Sequence, residues 1–224
     1  MPTALIVGAS RGIGAELARQ YRADGWRTIA TVRKLSDGDI LRDIGCEVLL
    51  LDVDKSDQCA AFDRQLNKEQ LDTAIVCAGI YGPHTESLDA PTAAEFDAVM
   101  HTNVLGAMRL LPLLGPHVAN AEGRLAVLSS IMGSISLRSH SNGWLYRASK
   151  AALNSLLTDA ALTFGPDGAI CVALHPGWVR TDMGGSEADL TVADSADGLR
   201  TTLKKISRSD NGTFLNYDGT PLPW

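Results

Sequence analysis

Tyr146 and Lys150 stand four residues apart in Trp144-Leu145-Tyr146-Arg147-Ala148-Ser149-Lys150. The apolar run that follows, Ala151 to Phe164, contains no Gly or Pro, so the stretch is expected to be helical. Residues four apart share a helix face, which puts the phenol and the ammonium side by side. A free tyrosine, with a pKa of ~10, is a poor acid near neutrality. A nearby ammonium favours the phenolate and lowers that value. Lowering it by about two units would take ~3 kcal/mol of electrostatic help. A tyrosine tuned this way can give a proton to, or take one from, a substrate oxygen. The plainer reading is an aromatic at a helix start with a solvated lysine one turn on, and Tyr-x-x-x-Lys alone is a common pattern.

A second constellation lies near the N-terminus. Thr3 to Val7 reads as a short strand ending at Gly8-Ala9-Ser10-Arg11-Gly12-Ile13-Gly14, and a helical pattern continues to Asp24. Strand, glycine-rich turn and helix is the context in which glycines mean a phosphate site. Glycine lets backbone N–H groups approach an anion closely, and the helix N-terminus adds partial positive charge. A turn with no ligand is the alternative.

The elements that would position these residues follow in alternation. Arg27 to Val32 is expected as a second strand, Asp39 to Ile44 as a short helix, and Cys46 to Leu51 as a third, buried strand closed by Asp52-Val53-Asp54. Ser56 is expected to cap a helix running to about Asn67. Thr73 to Cys77 is a fourth strand, followed by Ala78-Gly79. Thr92-Ala93-Ala94-Glu95 is a capping box opening a long helix to about Val118, whose far end Pro112 and Pro116 should bend or break. Asn103 sits inside it, although Asn competes for backbone hydrogen bonds in mid-helix. Leu125 to Leu128 leads to Ser129-Ser130, and Ile131 to Gly143 is irregular. Ala169 to Leu174 is a sixth strand, and Gly184 to Leu190 a candidate flap. Thr191 caps a helix to about Ile206, and Thr213 to Tyr217 is the last strand. This alternation implies βαβ units and a parallel sheet covered on both faces.

Composition narrows the function classes. Length fits one domain over residues 1–224. A net charge of −6 gives no basic field for nucleic acid or anionic membrane. No apolar run approaches the ~18 residues of a membrane span, and no secretory signal is expected, since Met1 runs almost directly into Ala4-Leu5-Ile6-Val7. Cys46, Cys59, Cys77 and Cys171 are scattered and suggest a reduced, cytoplasmic protein. No metal site is expected, since the five histidines lack ligand spacing.

Taken together, Gly8-x-x-x-Gly12-x-Gly14, Cys77-Ala78-Gly79, Asn103, Ser130, Tyr146-x-x-x-Lys150 and Pro176-Gly177 resemble the short-chain dehydrogenase/reductase family, in its order and over the whole chain. His175-Pro176-Gly177-Trp178-Val179-Arg180-Thr181-Asp182-Met183-Gly184-Gly185 and Gly212 to Gly219 are similar to its C-factor-like and Sniffer-like carbonyl reductases. The resemblance implies an α/β fold, a single-domain Rossmann-type doubly wound parallel sheet of about seven strands. It implies hydride transfer between a nicotinamide and a carbonyl or alcohol. Tyr146 would be the general acid/base, and Lys150 would lower its pKa and hold the ribose. Ser130 would bond the carbonyl oxygen, with Ser129 or Ser134 as substitutes should the register differ. Asn103 would hold a water beside Lys150. Cofactor contacts are implied at Gly8, Ser10, Arg11, Gly12, Ile13 and Gly14 in the turn, at Arg33, Asp52, Val53, Ala78 and Gly79 beyond it, and at Tyr146, Lys150, Pro176, Gly177, Val179 and Thr181. Val7 replaces the family's common Thr, and Val76-Cys77 its common Asn-Asn, so packing is expected to hold the cofactor shelf. The gap from Ser130 to Tyr146 is about three residues longer than the family's commonest spacing, with the excess in Ser139 to Gly143, so the substrate mouth there should be unusual.

NADP(H) is expected over NAD(H). An NAD site carries an acid after the second strand, about 20 residues past the glycines. Here that place holds Thr31-Val32-Arg33-Lys34, with no carboxylate until Asp37. Arg33 and Arg11 can bind a 2′-phosphate. The apolar residues Ala151, Ala152, Leu153, Leu156, Leu157, Ala160 and Ala161 exceed one buried stripe and suggest a homodimer or homotetramer. The competing reading is a dinucleotide-binding regulatory or signalling protein without turnover; an epimerase or dehydratase would need an added domain.

Overall fold

Seven parallel strands form one sheet in the order β3-β2-β1-β4-β5-β6-β7. They are β1 (Thr3–Val7), β2 (Arg27–Val32), β3 (Glu47–Leu50), β4 (Thr73–Val76), β5 (Arg124–Leu128), β6 (Ile170–His175) and β7 (Thr213–Asn216). The computed structural model describes residues 1–224. Helices α1 (Gly12–Ala23), α2 (Asp39–Asp43), α3 (Ser56–Leu66), α4 (Ala93–Met100), α5 (Gly106–Ala119), α6 (Trp144–Phe164) and α7 (Val192–Lys205) surround the sheet. None is long and apolar enough to cross a membrane.

Strand side chains alternate between faces. Leu5 and Val7 of β1 enter one core with Phe62 of α3, Leu110 and Leu114 of α5, and Leu157 of α6. Ala4 and Ile6 enter the opposite core with Leu17 and Tyr21 of α1 and Leu199 and Leu203 of α7. The central strands are therefore buried on both faces, as their apolar runs predict. β3 is not: it contains Glu47 and forms the sheet edge, with Glu47 and Leu50 exposed. Glu47 pairs there with Arg27 of β2 at 2.8 Å.

Three helix expectations are corrected. Thr92 and Glu95 do form the capping box, but the long helix divides into α4 and α5 at a π turn, His101–Leu105. α5 then runs unbroken through Pro112 and Pro116. Its buried Leu110, Leu111, Leu114 and Val118 supply roughly 1.5–3 kcal/mol each, against ~3 kcal/mol lost per interior proline. Ser56 does not cap α3; Lys55 takes that place with no side-chain bond, and Ser56 is already in the first turn. On α6, Leu153, Leu157, Ala160 and Ala161 are buried in the chain's own core, and Ala151, Ala152 and Leu156 are half-buried. α6 packs against both β6 and α5, which takes up part of its broad apolar face and leaves these three residues partly exposed.

Strand order reverses at β1, which lies between β2 and β4. Connections from β1 and β4 leave in opposite directions there, and a crevice opens beyond the carboxyl ends of the strands.

Candidate active site

The turn after β1 lies at this crevice. Gly8 has φ +83°, the left-handed region that favours glycine. A Cβ at Gly14 would overlap the Gly8 carbonyl oxygen, so α1 starts directly against the turn. No side chain caps α1 and no acid lies in its first turn, which leaves its free N–H groups available to an anion. The shelf is not held by packing alone. Gly8 N–H donates to Thr31 Oγ1 at 3.1 Å, so a hydroxyl from β2 does the work expected of a residue in place of Val7.

A cleft of about 450 Å³ runs from this turn to α6. Its walls include Gly8, Ser10, Arg11, Gly12, Ile13, Gly14, Arg33, Asp52, Val53, Ala78, Gly79, Tyr146, Lys150, Pro176 and Thr181. Gly177 and Val179 do not line it. Val179 is buried and bridges to Leu190, and Gly177 backs onto Leu190 and Tyr217. Cys77, Ile80, Thr102 and Asp182 also line the cleft, although none of the four was expected as a cofactor contact. Asp182 forms an ion pair with Arg11, both side chains exposed. The flap is small and fastened. Arg180 Nε donates to the Ala188 carbonyl at 2.8 Å, and Trp178 Nε1 to the Gly184 carbonyl at 2.8 Å.

Tyr146 lies in the first turn of α6 and Lys150 one turn on, both buried. Lys150 Nζ lies 5.6 Å from the Tyr146 ring centroid and donates to the Leu128 carbonyl at 2.7 Å. Burial pushes the Tyr146 pKa up, while the neighbouring Ser130 hydroxyl opposes the rise. Burial pulls the Lys150 pKa down to about 8. The expected lowering of the tyrosine by the lysine is thus reversed in direction, because desolvation outweighs any help from an ammonium turned toward Leu128.

Ser130 is the serine beside Tyr146. Its alternatives are committed elsewhere: Ser129 donates to Asn154 Oδ1 at 2.5 Å, and Ser134 to the Pro223 carbonyl at 2.7 Å. Asn103 sits in the π turn, an irregularity the sequence does not predict at this place. Its Nδ2 donates to the Ile80 carbonyl at 2.8 Å and to Ser149 Oγ at 2.9 Å, and its Oδ1 accepts from Ile80 N–H at 2.8 Å. Both amide hydrogens are used, so this side chain ties α6 to the Ile80 loop rather than donating to a water. Ser149 closes the link by donating to the Tyr146 carbonyl at 2.8 Å. The substrate side is walled by stacked rings, with Tyr81 4.7 Å from both Tyr146 and His84. The lengthened segment folds onto it: Gly143 N–H donates to the Thr85 carbonyl at 3.0 Å, and Trp144 Nε1 to that of Asp89 at 3.0 Å.

Residues 8–210 match the family model described as enoyl-(acyl carrier protein) reductase. The chain belongs to the short-chain dehydrogenase/reductase family. Among its relatives in that family is the C-signal of Myxococcus xanthus, 33% identical over 165 residues, or 73% of this chain and 99% of that one. The solved carbonyl reductase Sniffer of D. melanogaster superposes with a TM-score of 0.87 at 30% identity, covering 100% of both chains. The NADPH-bound carbonyl reductase from chicken fatty liver gives 0.87 at 29% identity, covering 100% of this chain and 94% of that one. This short-chain dehydrogenase/reductase therefore shares its whole architecture with carbonyl reductases.

Proposed function

We propose that residues 1–224 act as one NADP(H)-dependent carbonyl reductase unit in the cytoplasm, with Tyr146 as the general acid/base. The observation that carries this reading is the convergence of Tyr146, Ser130 and Lys150 at one end of a cleft whose other end is an uncapped helix N-terminus with Arg33 beyond it. The residues present fit a phosphorylated dinucleotide. The α1 N-terminus would hold the pyrophosphate, Arg33 the 2′-phosphate, and Lys150 the nicotinamide ribose. When bound, NADP(H) supplies or accepts the hydride. The NADPH-bound chicken carbonyl reductase supports the choice of cofactor.

In the reductive direction Tyr146 gives its proton to the substrate oxygen, and Ser130 donates a second hydrogen bond to the same atom. The phenolate left behind is a strong base, because burial disfavours its charge. Lys150, with its pKa near 8, is the adjacent acid and can restore the proton. Asn103 and Ser149 hold the Tyr146 turn in place.

The test is NADPH oxidation against a panel of aldehydes, ketones and quinones. Tyr146→Phe should lower kcat at least ~100-fold with cofactor binding little changed. Turnover near the wild-type rate in that variant sinks the reading. A signalling role without turnover is favoured by the name of the Myxococcus relative alone. Wild-type protein that binds NADPH yet oxidises none with any carbonyl would support it. Assembly into a homodimer or homotetramer stays proposed. It would use the half-buried Ala151, Ala152 and Leu156, and light scattering at the mass of a 23.8 kDa monomer would set it aside.

A further inference from the structure

Two buried polar atoms beneath the reaction end of the cleft have no hydrogen-bond partner: Asn154 Nδ2 and His175 Nδ1. Asn154 lies on α6 one turn beyond Lys150 and two beyond Tyr146, so the three share a helix face. It is 4% exposed, and its Oδ1 accepts from the Ser129 hydroxyl at 2.5 Å. Ser129 immediately precedes Ser130. Its N–H donates to the Leu174 carbonyl at 2.8 Å, continuing the β5–β6 pairing in which Leu128 faces Leu174. That register sets Ser129 beside His175. Alternation places His175 on the same sheet face as Cys171 and Ala173, which pack in the core beneath α6. Asn154, Ser129 and His175 therefore meet between α6 and the ends of β5 and β6. Burial pushes the His175 pKa down to about 4, so the ring is neutral and one nitrogen accepts.

We propose that Asn154 is a positioning residue for the reaction: it ties the end of β5 to α6 through Ser129, and so fixes Ser130 against the Tyr146 hydroxyl. The inference rests on the reductase reading above. Its content is that one helix carries both the proton donor and the anchor of the second donor, so the two keep their spacing.

A double-mutant cycle on NADPH-dependent reduction of menadione tests it. Asn154→Ala should lower kcat between about 10- and 100-fold, the cost of misplacing a reacting group, with KM for NADPH within about twofold. In a Ser130→Ala background the same substitution should change kcat less than about twofold, because its effect runs through Ser130. Ser129→Ala cuts the same bond from the strand side, should repeat the pattern, and serves if Asn154→Ala does not fold. Equal losses in both backgrounds, or no loss in a folded variant, overturn the proposal. Activity retained in Tyr146→Phe would instead refute the reductase reading itself, so the two failures are distinguishable.

Discussion

At one end of the cleft, Tyr146, Lys150, Asn103 and Ser149 are at most 8% exposed, and each is bonded or stacked to at least one other element. At the other end, the Arg11 and Asp182 side chains are 66% and 78% exposed and bond each other, and Arg33 stands in solvent. Buried groups have shifted proton affinities and fixed positions, which is what proton transfer requires. Exposed guanidiniums keep their charge and mobility, which suffices to select a phosphate but not to place a reacting atom. The two ends should therefore fail differently when altered.

Lys150→Met should do the most damage, lowering kcat by at least ~100-fold, because it removes the acid next to Tyr146. Stability should respond to pH as well. The folded pKa of Lys150 is near 8, below the ordinary lysine value of 10.5, so the unfolded chain binds more protons between these values. Wild-type stability should rise with pH across that window relative to Lys150→Met, as read by thermal unfolding of both. A difference independent of pH would mean that Lys150 is not held in a desolvated site.

Thr31→Val should have a middle-sized effect. It keeps the volume and strands the Gly8 N–H, a loss of about 1–3 kcal/mol if no water replaces the hydroxyl. Lower melting temperature together with raised KM for NADPH would place this hydroxyl in the buried, fixed class. Asp182→Asn should do least. An exposed pair is worth about 0–1 kcal/mol, so freeing Arg11 should lower KM for NADPH no more than about fivefold, and less in high salt. A larger change would mean that the exposed end is as tightly built as the buried one.

The same contrast governs how much the sequence discloses. The glycine turn and the Tyr146–Lys150 face are read from spacings within one element, and Asn103 stands out in the sequence only as a poor mid-helix residue. What stayed hidden depends on tertiary pairing. Asn103 meets Ser149 across 46 residues, and Gly8 meets Thr31 across 23. β3 resembles a buried strand until the strand order puts it at the edge. The apolar breadth of α6 serves two packing partners, β6 and α5, which spacing along one helix does not reveal. The desolvation that reverses the expected Tyr146 shift likewise belongs to the packed site and not to the helix alone.

The most direct test compares NADPH and NADH kinetics in wild type, Tyr146→Phe and Arg33→Asp. Tyr146→Phe should lose kcat by a similar factor, at least ~100-fold, with either cofactor and keep the wild-type NADPH preference. Arg33→Asp should keep kcat within about threefold and reverse the preference, through a lost attraction and an added repulsion at the 2′-phosphate. A Tyr146→Phe variant that turns over normally, or an Arg33→Asp variant that loses kcat while its preference stays put, would contradict the division of the cleft into a buried reacting end and an exposed selecting end.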